Sequence, residues 1–421
     1  MTAASRGHRP RAVVVGAGPV GCLAARFLAR HGFEVEVHEK RTDYWNGMTE
    51  EGRTINLSLS PRGLAALDRV GLKDRCVAIS VPMAHRVLHR SDGVVDTTRY
   101  GRDHWVNYSV SRNALNHLLF LSASDHGVRF HFDSSCREVN FTRKRVCFED
   151  RNGRTEVGYD LLVGADGVNS WVRTRLAARR HLSCIKQVLD TCYVELNVTS
   201  DGGHFVLDPS AIHIWPRDGY FMIGLPNPDG TFKCTLVLPI RGEHCIDKAR
   251  ASGFERFLRT SFPDVYDRLD TTIPSGSRSA PGYITTVVCD RMHHEDSVLL
   301  LGDAAHAIAP FLGQGINLGF EDCLTLDELL DGDLSSVGER FSGARKGNAD
   351  AAFALSMTNY QELARGESSE RTTGLERHGA GTAALVVLVN FAGLSYAEVL
   401  RRTISTGEQN RPVWAARGAS C

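Results

Sequence analysis

A glycine-rich turn between an apolar run and a helical pattern is the feature that most restricts how this chain can fold. The apolar run is 12–15, and the turn Gly-Ala-Gly-Pro-Val-Gly follows at 16–21. In a strand–turn–helix unit of this kind Gly16 makes the tight turn, Gly18 lets the backbone approach a pyrophosphate, and Gly21 lets helix and strand pack closely. The helix N-terminus then offers unpaired N–H groups to an anion. The pattern predicts a dinucleotide-binding fold.

Acidic residues follow three of the predicted buried strands. The strand Glu34–His38 ends at Glu39, whose carboxylate is placed to accept hydrogen bonds from a ribose, about 20 residues after the glycine turn. The apolar runs 160–163 and 298–301 also stop at a glycine and an acid, in Gly164-Ala165-Asp166 and in Gly302-Asp303. Parallel strands deliver their carboxyl ends to one ligand crevice, so we expect these acids to lie at the same edge of a sheet.

The stretch from about 191 to 273 has a different character. Three predicted strands, 212–215, 220–225 and 232–238, are separated by Asp-Gly dipeptides that favour tight hairpins. They predict an antiparallel sheet inserted into the first domain, and the crevice between the two domains is the natural place for a substrate. After about residue 322 the pattern is helical.

Composition excludes several classes of function. The 49 basic residues equal the 49 acidic ones, so no global field favours nucleic acid. The eleven cysteines form no CxxC pair and have no histidines at metal-ligand spacing, which indicates reduced thiols and no metal site. The N-terminus lacks the apolar core of a secretory signal, so we expect a cytoplasmic protein.

One apolar segment, 380–394, is shorter than the roughly 20 residues that span a bilayer. It carries Thr382 and Asn390, and we expect it to form a buried helix. The glycine pattern at 379–384 has no strand before it and is expected to be coincidental.

These motifs and their order resemble the class A flavoprotein aromatic hydroxylases, which carry a GxGxxG, a DG and a GD motif in this order. Here they are 16–21, Asp166-Gly167 followed by Arg173, and Gly302-Asp303. Within that class three segments resemble the kynurenine 3-monooxygenase family: Gly-Arg-Thr-Ile-Asn-Leu-Ser-Leu-Ser at 52–60, His-Ile-Trp-Pro-Arg at 213–217, and 302–323. The resemblance covers about 11–360.

The resemblance and the strand pattern together predict an α/β fold. We expect a Rossmann-like FAD-binding domain with an inserted antiparallel β-sheet substrate domain and a C-terminal helical segment. The expected bounds are 1–80, 105–185 and 275–325 for the FAD-binding domain, 81–104 and 186–274 for the substrate domain, and 326–421 for the helical region.

The resemblance implies bound FAD. Glu39 would hold the adenosine ribose, Arg41 and Arg112 would lie near the adenylate and pyrophosphate, and Asp303 would bind the ribityl chain. The 313–317 loop would lie against the isoalloxazine. A second role, capping the helix that follows, is open for Asp166 and Asp303. The full set of expected FAD-binding residues is Gly16, Gly18, Gly21, Glu39, Arg41, Arg112, Asp166, Asp303, Gly313, Gly315 and Asn317.

The implied activity is an FAD- and NADPH-dependent monooxygenase that uses molecular oxygen to hydroxylate L-kynurenine to 3-hydroxykynurenine through a flavin C4a-hydroperoxide. The cofactor carries this chemistry. We therefore name no catalytic acid or base, and we expect His306 to pack at a helix start. The protein must admit NADPH, exclude water and orient the ring.

A zwitterionic amino-acid substrate needs a cationic partner for its carboxylate, ideally arginine. The family's carboxylate-binding arginine and tyrosine correspond to Arg86 and Tyr100, and Asn359 matches a family asparagine near the same carboxylate. Two positions depart from the family: Leu312 replaces the second aromatic of a Pro-Phe-Phe loop, and Val386 stands where a pocket tyrosine is expected. We expect no counterpart of the membrane anchor of eukaryotic members.

Other functions remain as alternatives. The same chemistry could act on a substituted kynurenine, an anthranilate, or another arylamine or aromatic acid. A flavin halogenase is disfavoured because its Trp-x-Trp-x-Ile-Pro signature is missing. A non-catalytic binding protein on the same scaffold, as in prenyl-GTPase chaperones, is disfavoured by the presence of Glu39, Asp303 and Gly313-Gln314-Gly315 together.

Overall fold

The computed structural model describes residues 9–43, 55–101, 104–270, 280–332, 334–364 and 383–405. A six-stranded sheet forms the centre of the first domain, and it is parallel except for one antiparallel edge strand. Its strands, in spatial order, are β18 (His293–His294), β19 (Val298–Leu300), β12 (Leu161–Gly164), β1 (Arg11–Val15), β2 (Glu34–His38) and β8 (Arg129–His131). The predicted apolar strands thus lie side by side.

Helices cover this sheet because each one buries an apolar stripe against it or against a neighbouring helix. The helix after the glycine turn packs against two others, one before the DG motif and one after the 313–315 loop. The helices of this domain are α1 (Pro19–Arg30), α2 (Pro61–Asp68), α3 (Lys73–Ala78), α4 (Arg112–Asp125), α5 (Trp171–Ala178), α8 (Asp303–His306) and α9 (Gly315–Leu330).

Two small antiparallel sheets complete the first domain. One has the order β3 (Asn56–Leu59), β7 (Asn107–Ser111), β4 (Val81–Met83). The other has the order β11 (Gly153–Gly158), β10 (Arg145–Asp150), β9 (Ser135–Asn140).

A seven-stranded sheet forms the second domain. In spatial order its strands are β17 (Gly282–Cys289), β13 (Cys184–Val198), β16 (Phe232–Pro239), β15 (Tyr220–Pro226), β14 (Ala211–Arg217), β5 (His85–His89) and β6 (Val95–Arg99). The three strands expected between 212 and 238 are present. The sheet is antiparallel except for the β14–β5 pair, which is parallel and joins distant parts of the chain. β17 lies within the range 275–325 but pairs with β13 of this sheet.

The two faces of the seven-stranded sheet bury different partners. One face carries Trp215 and Met222 and packs against helices α6 (Ile246–Ala251) and α7 (Phe254–Ser261). The other face carries Ile214 and Phe221, and packs against the 3₁₀ turn Pro310–Leu312 and the long helix α10 (Val337–Ala364). This second face therefore looks toward the GD motif and the 313–315 loop.

The described part of the C-terminal region is helical, as expected. After α10, the described part of the chain contains α11 (Ala383–Phe391) and α12 (Tyr396–Ser405). The expected buried helix is α11, and Leu385 and Val389 on it are buried in an apolar cluster with Tyr396. Residues 379–382 lie outside the described residues. None of the described helices combines the length and apolar character needed to cross a bilayer.

Candidate active site

The glycine turn has the geometry that its sequence predicts. Gly16 has φ 105°, and a Cβ there would lie 2.5 Å from the carbonyl oxygen of Ala165. A Cβ on Gly21 would lie only 2.0 Å from the carbonyl oxygen of Gly16, so this position holds the helix against the strand. Beside Gly18, by contrast, a Cβ would meet nothing within 4 Å. The start of α1 also has no side-chain cap and no acid in its first turn, so no side chain of these kinds occupies its first N–H groups.

Glu39 connects the glycine turn to the end of β2. Its Oε2 accepts a hydrogen bond from the Ala17 backbone N–H at 2.9 Å, and its Oε1 accepts from the backbone N–H and the Nε of Arg41 at 3.1 and 3.0 Å. Burial opposes ionisation, but Arg41 and the two backbone donors outweigh it and hold the pKa of Glu39 below its ordinary value. Glu39 is thus a buried carboxylate at the mouth of the turn. Arg112 is exposed at the first position of α4.

Asp166 lies at the start of α5. Its Oδ2 accepts hydrogen bonds from the backbone N–H groups of Trp171 and Val172 at 2.6 and 3.3 Å. Its carboxylate thus performs the helix-capping role together with Ser170, whose hydroxyl accepts from Arg173 N at 3.0 Å. Burial raises the pKa of Asp166.

Arg173 links the DG and GD motifs. It is buried, and its Nη1 donates to the carbonyl oxygen of Ala304 at 2.8 Å while its Nη2 donates to that of Val168 at 2.7 Å. The two acid-bearing turns at the carboxyl ends of β12 and β19 are therefore held together by one guanidinium.

The GD motif is fixed by a buried ionic cluster around Asp322. Asp322 Oδ2 accepts from the backbone N–H of Gly302 at 2.8 Å and lies 2.6 Å from Nε2 of His306, while Arg345 Nε donates to Oδ1 at 2.7 Å. Burial alone would raise the pKa of Asp322, but His306 and Arg345 hold it below its ordinary value. His306 is 5% exposed and its Nε2 belongs to this cluster, as expected for a packed helix start.

Asp303 behaves differently from its neighbours. It is exposed, whereas Gly302 and Ala304 beside it are buried. Within the described part of the chain its carboxylate has no hydrogen bond or ion pair. An accessible carboxylate at the carboxyl end of a parallel strand is available to hydroxyl groups of a ligand.

The loop at 313–315 is shaped by Gly313 and held by Asn317. Gly313 has φ 66°, in the left-handed region. The Asn317 side chain is fully buried; its Nδ2 donates to the carbonyl oxygens of Ser58 and Gly313 at 3.0 and 3.1 Å, and its Oδ1 accepts from Ser60 N at 3.0 Å. The Asn317 amide therefore positions the loop. The first turn of α9, which starts at Gly315, has no side-chain cap, and a Cβ on Gly315 would meet nothing within 4 Å.

Residues from the C-terminal helices, which no sequence motif indicated, brace this loop. Gln314 Nε2 donates to Oδ1 of Asn390 at 2.8 Å, and Tyr396 donates its hydroxyl to Oε1 of Gln314 at 2.8 Å. All three side chains are buried. The polar Asn390 within an apolar helix was the available signal, because a buried amide needs partners.

Arg86, on β5, and Tyr100, directly after β6, lie close together at the edge of the seven-stranded sheet. Both are buried, at 9% and 4% exposure. Burial lowers the pKa of Arg86, opposed by Tyr100 and by Glu362 on α10, and burial raises the pKa of Tyr100. Within the described residues no hydrogen bond reaches the Arg86 guanidinium. Glu362, which no sequence motif indicated, is therefore an acid whose charge acts on this arginine.

Asn359 lies one turn before Glu362 on α10. Its Nδ2 donates to the carbonyl oxygen of Phe311 at 2.9 Å, which ties α10 to the turn that precedes the 313–315 loop. The two positions that depart from the family, Leu312 and Val386, both contribute to one apolar cluster between α9, α10 and α11. The structure thus brings Arg86, Tyr100 and Asn359 to the same side of the substrate sheet.

The His-Ile-Trp-Pro-Arg motif at 213–217 stabilises the opposite face of that sheet. Trp215 Nε1 donates to Oδ2 of Asp264 at 2.7 Å. Arg217 donates to the carbonyl oxygens of Ser261 and His89 at 2.6 and 2.8 Å. These contacts fix α7 and β5 against β14 and do not reach the crevice.

One group of three potential metal ligands occurs among the described residues, formed by Glu36, His38 and His131. The two imidazole rings are stacked 4.5 Å apart at an interplanar angle of 13°, so their in-plane lone pairs do not converge. Glu36 already accepts from Arg129 at 2.7 Å. The arrangement is that of an aromatic stack, and His38 also stacks on Phe148 at 3.6 Å.

Comparisons with known proteins agree with this geometry. Residues 10–335 match the protein family described as FAD binding domain. The kynurenine 3-monooxygenase of Legionella pneumophila (strain Lens) is 37% identical over 360 residues, which cover 83% of this chain and 79% of that protein. The kynurenine 3-monooxygenase of Salinispora tropica is 39% identical over 366 residues, covering 85% and 81%.

A solved structure shows the same fold at lower identity. The tetrameric form of 2-methyl-3-hydroxypyridine-5-carboxylic acid oxygenase is 21% identical, with a TM-score of 0.67, and the match covers 86% of this chain and 94% of that one. The predicted fold class, a FAD-binding α/β domain with a substrate domain, is confirmed.

Proposed function

The chain belongs to the kynurenine 3-monooxygenase family of FAD-dependent aromatic hydroxylases, and on that premise we propose that it hydroxylates L-kynurenine to 3-hydroxykynurenine. FAD is the cofactor and NADPH the reductant. Bound FAD supplies the activation of molecular oxygen, which is the co-substrate. The protein's own residues bind the FAD and the substrate, orient the substrate ring and exclude water.

The residues present fit FAD. The space beside Gly18 and the uncapped start of α1 suit a pyrophosphate, which needs N–H donors and close backbone approach. The lowered pKa of Glu39 favours the carboxylate form, which suits a ribose diol, and the exposed Asp303 carboxylate suits a polyol chain. The open space at Gly315 and the uncapped start of α9 suit a flavin carbonyl, which accepts hydrogen bonds.

We propose a specific role for each of the other expected FAD-binding residues. Arg41 donates to Glu39 and would lie near the adenylate. Arg112 is exposed and would lie near the pyrophosphate. Asp166 caps α5 and so acts by shaping the DG turn. Asn317 contributes by fixing the loop with its side chain.

The observation that carries the substrate assignment is Arg86, a guanidinium that is nine-tenths buried with no hydrogen bond inside the described part of the chain. Burying a cation whose N–H donors have no acceptors costs free energy. The two oxygens of a ligand carboxylate can supply these acceptors in a bidentate pair. Tyr100 lies beside it and can donate its hydroxyl to the same carboxylate. A carboxylate-bearing substrate is therefore favoured.

Glu362 favours an amino acid over a simple aromatic acid. Its carboxylate acts on Arg86 from α10, so the pocket contains both a cation and an anion. L-Kynurenine carries the complementary pair, a carboxylate for Arg86 and an ammonium for Glu362. An anthranilate lacks the ammonium and would leave the acid facing its own carboxylate. Asn359, one turn away, fixes α10 relative to the Phe311 turn and completes this end of the pocket.

Aromatic side chains form one wall of the proposed pocket. Phe311 and Tyr360 stack at 4.5 Å, and Phe221 approaches Phe311 at 5.5 Å. Such a wall excludes water from the reacting face and restricts the aromatic ring to a few orientations. We assign no acid or base, because the cofactor carries the chemistry and His306 is held by Asp322.

Location in the cytoplasm is a proposal that rests on the cysteines. Ten described cysteines are free thiols, as is usual in a reducing compartment. The balanced charge supports a small-molecule partner rather than nucleic acid.

The test is NADPH oxidation by the purified, FAD-loaded protein with and without L-kynurenine, with the product followed by mass spectrometry. Faster oxidation together with a product that has gained one oxygen atom supports the proposal. Anthranilate serves as the matched substrate control, because it keeps the arylamine and lacks the amino-acid end. Greater stimulation and hydroxylation with anthranilate than with kynurenine would overturn the assignment while leaving FAD use intact.

A further inference from the structure

Two cysteines face each other at the point where the substrate sheet joins the FAD-binding domain. Cys184 begins β13, Cys289 ends β17, and the two are register partners in the antiparallel pair. In the next pair outward, Asp290 N donates to the carbonyl oxygen of Ser183 at 2.9 Å, so that pair is hydrogen-bonded. Hydrogen-bonded and non-hydrogen-bonded pairs alternate, which makes Cys184 and Cys289 a non-hydrogen-bonded pair.

A non-hydrogen-bonded pair has the spacing that a disulfide needs. Opposed Cα atoms in such pairs are about 4.5 Å apart, and disulfides bridge Cα atoms about 4.4–6.8 Å apart. Directly opposed residues also point to the same side of the sheet, and both cysteines pack against the core of the first domain. Rotation about the side-chain bonds is then enough to bring the sulfur atoms together.

The two thiols differ in access. Cys184 is half-buried, whereas Cys289 is 2% exposed, and burial raises the pKa of Cys289 to about 12, with Cys184 adding to the effect. An oxidant from solvent therefore meets Cys184 first. Cys289 is then the nearby thiol that resolves the oxidised form.

We propose that Cys184 and Cys289 form a reversible intramolecular disulfide when the protein meets hydrogen peroxide. Peroxide oxidises the sulfur of Cys184 to a sulfenic acid and is reduced to water. The sulfur of Cys289 then attacks the sulfenic sulfur, an S–S bond forms as the S–O bond breaks, and the hydroxyl group leaves with the Cys289 proton as a second water. The balance is two thiols and one peroxide giving one disulfide and two waters.

The proposed disulfide would link the two chain connections between the substrate sheet and the FAD-binding domain. β13 carries the chain from α5 into the substrate sheet, and β17 carries it back toward β18, β19 and the GD motif. Val287 N on β17 also donates to the carbonyl oxygen of Ala307, just past α8. A disulfide here would staple the outgoing and returning connections and close a long loop of chain, which stabilises the folded state.

The test uses the FAD-loaded full chain treated with millimolar hydrogen peroxide, alkylated to block free thiols, and digested without reductant. We expect a peptide that joins Cys184 to Cys289 and disappears after dithiothreitol. The melting temperature of the oxidised protein should exceed that of the reduced protein by several degrees. Both signals should be lost in Cys184→Ser.

Cys192→Ser is the matched control, because Cys192 lies on the same strand but faces Tyr283 and Leu238 rather than a cysteine. It should keep the joined peptide and the shift in melting temperature. Alkylated Cys289 thiol after oxidation, with Cys184 either untouched or converted to sulfinic acid, would overturn the proposal. Added peroxide makes the outcome independent of whether kynurenine is the substrate.

Discussion

The hydroxyl of Tyr396 donates to Oε1 of Gln314 at 2.8 Å, so the C-terminal helix α12 is bonded to the loop that opens α9. The Gln314 amide continues the connection to Oδ1 of Asn390 on α11. Arg62 lies over the other side of the Tyr396 ring, 4.4 Å from its centroid. The C-terminal helices are therefore part of the support of the candidate flavin site.

Tyr396→Phe tests this connection. The change keeps the buried ring but leaves the buried Gln314 oxygen without its donor, so we expect a loss of about 1–3 kcal/mol in the free energy of unfolding. Thermal unfolding of the FAD-loaded protein would show it. Tyr283→Phe is the control, because Tyr283 is 58% exposed and its change should fall within about 0.5 kcal/mol. Equal effects of the two changes would contradict the role of Tyr396.

Arg86→Ala tests the carboxylate-binding role. Loss of a charge-assisted interaction worth about 1.5–3 kcal/mol should lower kcat/KM for kynurenine roughly ten- to a hundredfold, mostly through KM, while FAD stays bound. Arg90→Ala, directly after the same strand but paired with the nearby Asp96, is the control. Unchanged kinetics in Arg86→Ala, with the protein folded and yellow, would remove Arg86 from the pocket.

Glu39→Gln tests the ribose-binding role. The neutral amide keeps the size of the side chain but removes a carboxylate whose ionised form is favoured, so FAD affinity should fall roughly tenfold or more. Titration of the apoprotein with FAD by flavin fluorescence measures this. Glu36→Gln is the matched control, since Glu36 lies on β2, the strand that leads to Glu39, and is paired with Arg129. A similar loss in both variants would indicate general damage to β2.

Much of the fold could be predicted from sequence because short-range rules govern it. The apolar runs before Gly16, Asp166 and Asp303 could only be buried parallel strands, and the hairpins at 218–219 and 229–230 follow from Asp-Gly pairs. The parallel pairing of β5 with β14 could not be predicted. It joins segments more than a hundred residues apart, and neither segment carries a local signal for its partner.

The candidate site was predictable in part for the same reason. Glycines and acids at strand ends can be located from the sequence around them. The partners of a buried side chain cannot, because they depend on packing between distant elements. Glu362 opposite Arg86 and Tyr396 against Gln314 are such partners. The role of Asp166 could be narrowed to two possibilities but not decided, because an acid at this point can bind a ligand or cap a helix. In the structure its carboxylate accepts a hydrogen bond from a backbone N–H in the first turn of α5.

Stability should decrease as the pH falls from about 6.5 to 4, in part because of His213. Burial lowers the pKa of His213 to about 4, and its neutral form is fixed by contacts from Nδ1 to His89 and from Nε2 to the Asp208 carbonyl. Between these pH values the unfolded state binds more protons than the folded state, so each pH unit costs up to roughly 1.4 kcal/mol. His213→Gln should flatten the fall in melting temperature over this window. His204→Gln, at an exposed position, should leave it unchanged.

Gly21→Ala tests whether the glycine turn is required for close packing rather than for flexibility. The added Cβ would lie 2.0 Å from the carbonyl oxygen of Gly16, a backbone atom that cannot rotate away, so helix α1 must shift from the strand. We expect little folded protein, or folded protein that no longer retains FAD. Gly343→Ala is the opposite case, because Gly343 lies inside α10 and its Cβ would meet nothing within 4 Å. That change should raise stability by about 0.5–1 kcal/mol through helix propensity alone. Wild-type FAD affinity in Gly21→Ala, measured by flavin fluorescence, would show that α1 need not touch the strand for the cofactor to bind.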